Sequence, residues 1–338
     1  MSAITRRTMS SSLTAKPSTH HHVAPRGGAI GWPSVAHPFV TDGGLETDLI
    51  YRRGIDLREF AAYPLLRTER GRAQLAAYYE GYATIAARAR AGLLLETATW
   101  RANPQWGAKL GDSRRSLYDI NVRAVRHLQQ LRQGYIDMGV AEVLISGAIG
   151  PRSDAYADAP PFGPDEAQVY HEAQVDAFAE AGADLVTAFT LSDPGEAVGI
   201  ARAAYFHGLP AVIGFTVETD GRLRGGMPLR EAIELVDDAT DTVHYMINCA
   251  HPQHILRGLD AGPWRERIAS VRYNASTRSH AELDRSTTLD TGDIDELRRG
   301  HDELRAMLPS LAVIGGCCGT DSRHVAALWQ EAGSSSPA

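Results

Sequence analysis

Only three cysteines occur in this 338-residue chain, and two of them are adjacent. Cys317 and Cys318 follow the apolar run Leu311-Ala312-Val313-Ile314 inside the segment Gly315-Gly316-Cys317-Cys318-Gly319-Thr320, and Cys249 ends a second run that starts at Val243. Successive side chains of a strand point to opposite faces, so the adjacent pair can converge on one ion only where the chain leaves strand geometry. Gly315, Gly316 and Gly319 allow that departure. Three thiolates plus one open position form the donor set of a catalytic zinc, whereas structural sites are usually closed by four protein ligands. Three buried, inert thiols fit the same spacing, because cysteine is among the most buried residue types. Spacing alone leaves both readings open. An adjacent Cys-Cys disulfide would be strained, and the odd count disfavours a disulfide framework.

Taken in order, Asp42-Gly43-Gly44, Asn248-Cys249 and Gly315-Gly316-Cys317-Cys318-Gly319 resemble the homocysteine S-methyltransferase family over roughly residues 39 to 330. The resemblance implies a zinc-dependent barrel that methylates a thiol, with Cys249, Cys317 and Cys318 as the Zn2+ ligands. It also implies that Asp42 helps hold the amino group of homocysteine and that backbone near Gly43 meets its carboxylate; an Asp-Gly-Gly turn is the plainer alternative. Glu96-Thr97-Ala98-Thr99-Trp100 matches a family segment that usually reads E-T-N-T-F. Glu96 and Thr97 are therefore candidate substrate contacts, although Glu96 also reads as a structural acid of a barrel interior, costly to bury unless paired. Asn274, in Tyr273-Asn274-Ala275-Ser276, is a further candidate where the family carries Y-P-N-S-G, without its proline and final glycine. The sequence departs from the family at Phe189, which stands where a second carboxylate for the homocysteine amino group is usual. A shifted register would let Glu196 or Glu218 supply that charge; otherwise the acceptor is a thiol other than homocysteine.

The elements that would position these residues are legible as a pattern. From Phe39 onward, apolar runs alternate with amphipathic stretches. The expected strands are 39–44, 93–99, 143–150, 185–191, 211–217, 243–249, 268–274 and 311–317. Helical patterns lie near 74–91, 116–138, 164–181, 194–207, 228–239, 252–259, 293–308 and 321–329. Several of these open on proline, which is tolerated in a first turn. Eight such units predict a single (β/α)8 TIM barrel over residues 39–332, with the candidate residues at the C-terminal ends of its strands. No Gly-x-Gly-x-x-Gly follows the first strand, which disfavours a doubly wound sheet.

Residues 1–38, rich in Ser, Thr, Pro, Gly and His, read as a disordered extension, and 333–338 as a flexible tail. His20-His21-His22 reads as an adventitious metal binder at most. Arg6-Arg7 is followed by no apolar stretch, so no export signal is expected. With 43% hydrophobic and 22% charged residues, the composition is that of a soluble globular protein, and free thiols suit a reducing cytoplasm. A net charge of -7 argues against a nucleic-acid surface, and no run is long enough for a membrane span. The expected partners are a small thiol acceptor and a small methyl donor, with oligomeric state open. A sulfonium such as S-methylmethionine or S-adenosylmethionine is the expected donor; a betaine-type donor, a non-catalytic zinc-holding barrel and a zinc hydrolase are the alternatives. No H-E-x-x-H supports the last.

Overall fold

The computed structural model describes residues 32–154, 156 and 160–330. The apolar runs form eight strands: β1 Phe39–Thr41, β2 Gly92–Glu96, β3 Val143–Ile149, β4 Leu185–Leu191, β5 Ala211–Phe215, β6 His244–Ala250, β7 Ile268–Tyr273 and β8 Val313–Gly316. Each pairs in parallel with the next, and β8 returns to β1 with Val313 opposite Phe39, closing a barrel. Strands of a closed parallel barrel are covered on both faces, which is why they read as continuous Val, Leu, Ile and Ala runs. The eight main covering helices are α1 Glu69–Ala89, α2 Arg114–Asp137, α3 Pro164–Ala181, α4 Pro194–Phe206, α5 Leu229–Ala239, α6 Pro252–Gly258, α7 Ile294–Met307 and α8 Ser322–Leu328. This is the (β/α)8 TIM barrel that the pattern predicts.

Helix starts follow local chemistry. Ser113 accepts a hydrogen bond from Ser116 N, Asp193 from Gly195 N and Asp293 from Glu296 N, each side chain satisfying a first-turn donor. Pro164, Pro194 and Pro252 occupy first-turn positions, where a missing N–H costs nothing.

Most of the apolar core lies between strands and helices, and includes Val40, Leu93, Ile145, Val186 and Ile213. A smaller cluster contains Phe39, Leu94, Leu144, Leu185, Phe189, Val212, Met246 and Val313, with Trp32 and Trp100 packed against it. Its members alternate with the first set along each strand, so it fills the barrel interior. Residues 1–31 and 331–338 lie outside the described residues, and with them the histidine run and the expected tail. Trp32 is half-buried, so packing begins before the boundary expected at residue 38.

Several strands stop earlier than their apolar runs. Beyond Glu96 on β2, Thr97 N still reaches Ser146 O at 3.0 Å, but the threonine hydroxyls then take over. Thr97 Oγ1 accepts from Ala148 N at 2.8 Å, and Thr99 Oγ1 donates to Ala148 O at 2.7 Å. Side chains thus replace the ladder and let the chain turn away over the barrel mouth.

Candidate metal and thiol site

Cys249 belongs to a strand whose alternation alone would misdirect it. Tyr245 and Ile247 of β6 face the helices, so Cys249, two positions on, should do the same. The backbone prevents this: Cys249 adopts a left-handed conformation with φ 58°, and the β6–β7 register shifts between Asn248 and Ala250. Such a bulge re-aims a side chain, here into the barrel mouth. A matching irregularity lies between Ala188 and Leu191 of β4, where Thr190 has φ 59°. Asn248 ties the two together, accepting from Thr190 N and donating to Thr190 Oγ1, both at 2.8 Å.

Cys317 and Cys318 lie just beyond β8, in a turn. Thr320 N and Thr320 Oγ1 both donate to Cys317 O, at 3.1 and 2.7 Å, and Gly319 takes φ 81°. A Cβ on Gly44 would lie 2.5 Å from Cys317 O, so glycine is what lets the β1 loop pass the cysteine turn. The three sulfur atoms all lie within 4.8 Å of one another, with Cys249 Sγ 3.7 Å from Cys318 Sγ. Tetrahedral thiolate bonds of about 2.3 Å would set sulfur atoms about 3.8 Å apart. The donor set fits a single thiophilic ion. Hydrogen bonds from Cys249 and Cys318 hold the Cys317 thiol well below the ordinary range, overcoming the effect of burial, and the Arg272 guanidinium adds to the lowering.

These sulfurs line a cavity of about 300 Å³ at the C-terminal ends of the strands. Asp42, Gly43, Glu96, Thr97 and Phe189 line it too, so most residues singled out from the sequence meet there. Asn274 is placed differently: it stands behind Cys249, and its Nδ2 donates to Cys249 O at 3.0 Å. His280 Nε2 lies 2.7 Å from the same carbonyl. Neither Glu196 nor Glu218 lines the cavity. Glu196 bonds to His171 and to Arg152 N, and Glu218 lies 3.5 Å from His280 Nδ1.

The sequence reading passed over Arg272, Trp100, Tyr156 and Glu46, which also line the cavity. Arg272 of β7 is buried, and its Nη2 lies 2.6 Å from Asp42 Oδ1. Although burial opposes it, Asp42 and then Cys317 and Glu96 keep this guanidinium more firmly protonated than usual. The available signal was a lone arginine inside the apolar run Ile268 to Tyr273, a charge that must find a buried partner. Tyr156 stacks on His280 with ring centroids 3.7 Å apart. Burial pushes the carboxyls of Glu46 and Glu96 up to about 7, with Arg272 opposing the shift at Glu96. Oε2 of Glu96 has no hydrogen-bond partner among the described residues.

Comparison with known proteins agrees with this geometry. The family model for homocysteine S-methyltransferase matches residues 39–332. A homocysteine S-methyltransferase of Escherichia coli (strain K12) is 24% identical over 241 residues, covering 69% of this chain and 77% of that protein. The crystal structure of the E. coli homocysteine methyltransferase MmuM in its oxidized form superposes with a TM-score of 0.66 at 22% identity, covering 86% of this chain and 94% of that one. Its metallated form gives 0.63 at 24% identity, covering 87% and 95%. Spanned by the family model from the first strand of the barrel to beyond the last, this chain belongs to the homocysteine S-methyltransferase family and is a thiol methyltransferase.

Proposed function

We propose that the protein is a zinc-dependent S-methyltransferase that moves a methyl group from a small sulfonium, S-methylmethionine or S-adenosylmethionine, to homocysteine or a related thiol. The observation that carries this reading is the convergence of Cys249, Cys317 and Cys318 on one point of the cavity wall. Bound by these three cysteinates, zinc would supply the Lewis acidity that deprotonates an acceptor thiol near neutral pH. The chain does the rest by placement. Asn274 and His280 hold the Cys249 carbonyl, Asn248 ties the preceding residue of β6 to Thr190, and Thr320 holds the Cys317 carbonyl. Phe189 and Trp100 exclude water from one wall of the cavity. In the transfer, the acceptor sulfur forms a bond to the methyl carbon as the donor carbon–sulfur bond breaks. The electron pair stays on the donor, which leaves as a neutral thioether, and the acceptor's proton goes to solvent.

The acids of the cavity support a cationic donor. Glu46, Asp154 and Asp284 line it beside Phe60, Trp100 and Tyr156, with one guanidinium, that of Arg101, lying over the Phe60 and Trp100 rings. Carboxylates gathered around a single guanidinium favour a cationic ligand.

The test is methyl transfer from isotopically labelled S-methylmethionine and S-adenosylmethionine to a panel of thiols, read by mass spectrometry alongside metal content. About one zinc per chain is expected, with labelled thioether formed, and both should be lost in Cys317→Ala. Fully metallated protein that methylates no thiol from either donor would overturn the proposal.

A further inference from the structure

The acid that the cavity offers most directly to an amino group already has a cation of its own. Asp42 Oδ1 is 2.6 Å from Arg272 Nη2 and accepts from Thr41 Oγ1 at 3.3 Å, while Oδ2 accepts from Tyr78 OH at 2.9 Å. Arg272 is fixed in turn by backbone: Nε donates to Gly316 O and Nη2 to Gly43 O, each at 2.9 Å. The Phe189 ring covers it, with its centroid 5.1 Å from the guanidinium carbon. A ligand ammonium reaching Asp42 would have to displace this guanidinium or lie beside a like charge in a space with little water, where repulsion is strong.

Glu96 is the other buried acid on this wall, and it too faces Arg272. Burial pushes its carboxyl up to about 7, so near neutral pH it is only partly ionised. Phe189 meanwhile adds apolar surface where a charged tail would need a partner. We infer that the acceptor is a thiol carrying no ammonium group near its sulfur, with its carbon chain lying on Phe189. This rests on the thiol methyltransferase reading above and names its substrate class.

The test is a matched pair: homocysteine against 4-sulfanylbutanoate, which has the same chain and carboxylate but no amine. Protein loaded with cobalt(II) reports thiol binding through sulfur-to-metal charge-transfer absorption, independently of methyl transfer. The amine-free thiol should bind at least tenfold tighter, the range expected when a ligand charge finds no free partner. Arg272→Gln, which releases Asp42, should shift the ratio toward homocysteine by a similar factor. Homocysteine binding as tightly as its analogue, or tighter, to the wild-type protein would overturn the inference while leaving thiol methylation intact. If neither thiol perturbs the cobalt spectrum, the inference falls together with the reading beneath it. Should Arg272→Gln fail to fold, the wild-type ratio decides alone.

Discussion

Glu96 is the residue whose chemistry is most altered by its surroundings. It is buried at the end of β2, and burial raises its carboxyl from an ordinary 4.5 to about 7 despite Arg272 nearby. A raised acid binds its proton more tightly in the folded chain than in the unfolded one. Its contribution to stability is therefore full below pH 4.5 and is lost as the pH rises through 7. The shift corresponds to an effect on the order of 3 kcal/mol. Glu96→Gln, which cannot ionise, should gain on the wild type by an amount of that order between pH 4.5 and 8 in the metal-free protein. Urea denaturation at the two pH values measures it; a stability difference that stays constant would mean that Glu96 ionises normally. Glu96 and Thr97 were legible in the sequence because Glu96-Thr97-Ala98-Thr99-Trp100 resembles a segment of the family. Arg272 was not, because its partner Asp42 is far from it in sequence, and only closure of the barrel brings β7 within reach of the β1 loop.

At the scale of elements, order and type were readable and the irregularities were not. All eight strands follow from mainly apolar runs, and the main helices follow from periodicity and, in several, an opening proline. The short helix Pro104–Leu110 escaped notice because its seven residues give too little periodicity. The bulges at Thr190 and Cys249 leave no mark in composition, since their left-handed residues are not glycines. Holding such a residue left-handed costs about 1–2 kcal/mol, and here the paired Asn248–Thr190 hydrogen bonds stabilise one of the two bulges. Asn248→Ala leaves a buried Thr190 N–H unpaired and should lower stability by about 1–3 kcal/mol. Because Asn248 also precedes Cys249, zinc affinity should fall by about 10–100-fold, as when residues supporting metal ligands are lost. Chelator competition and urea melts of the variant measure the two effects. A variant with unchanged zinc affinity would mean that the β6 bulge is held by Asn274 and His280 without Asn248.

Across the whole molecule, the barrel interior links the site to the far end of the strands. Phe189 belongs to the same interior cluster as Phe39, Leu185 and Val313, residues near the strand beginnings; Trp100 packs against that cluster, and so does Trp32 from outside the barrel sequence. Cores are close-packed, so a gap opened at one end is not simply refilled by its neighbours. Trp32 is only half-buried, which puts the loss on Trp32→Ala below the 3–5 kcal/mol of a fully buried tryptophan, at about 1–3 kcal/mol. The thiol-binding end should be spared, because the cavity-lining residues do not include Trp32. The expected outcome is a lower urea midpoint with an unchanged slope and unchanged zinc content. If the midpoint stays within the scatter of the wild type, Trp32 rests on the barrel without closing it. If zinc content falls with stability, the interior cluster transmits strain from one end of the barrel to the cysteines at the other.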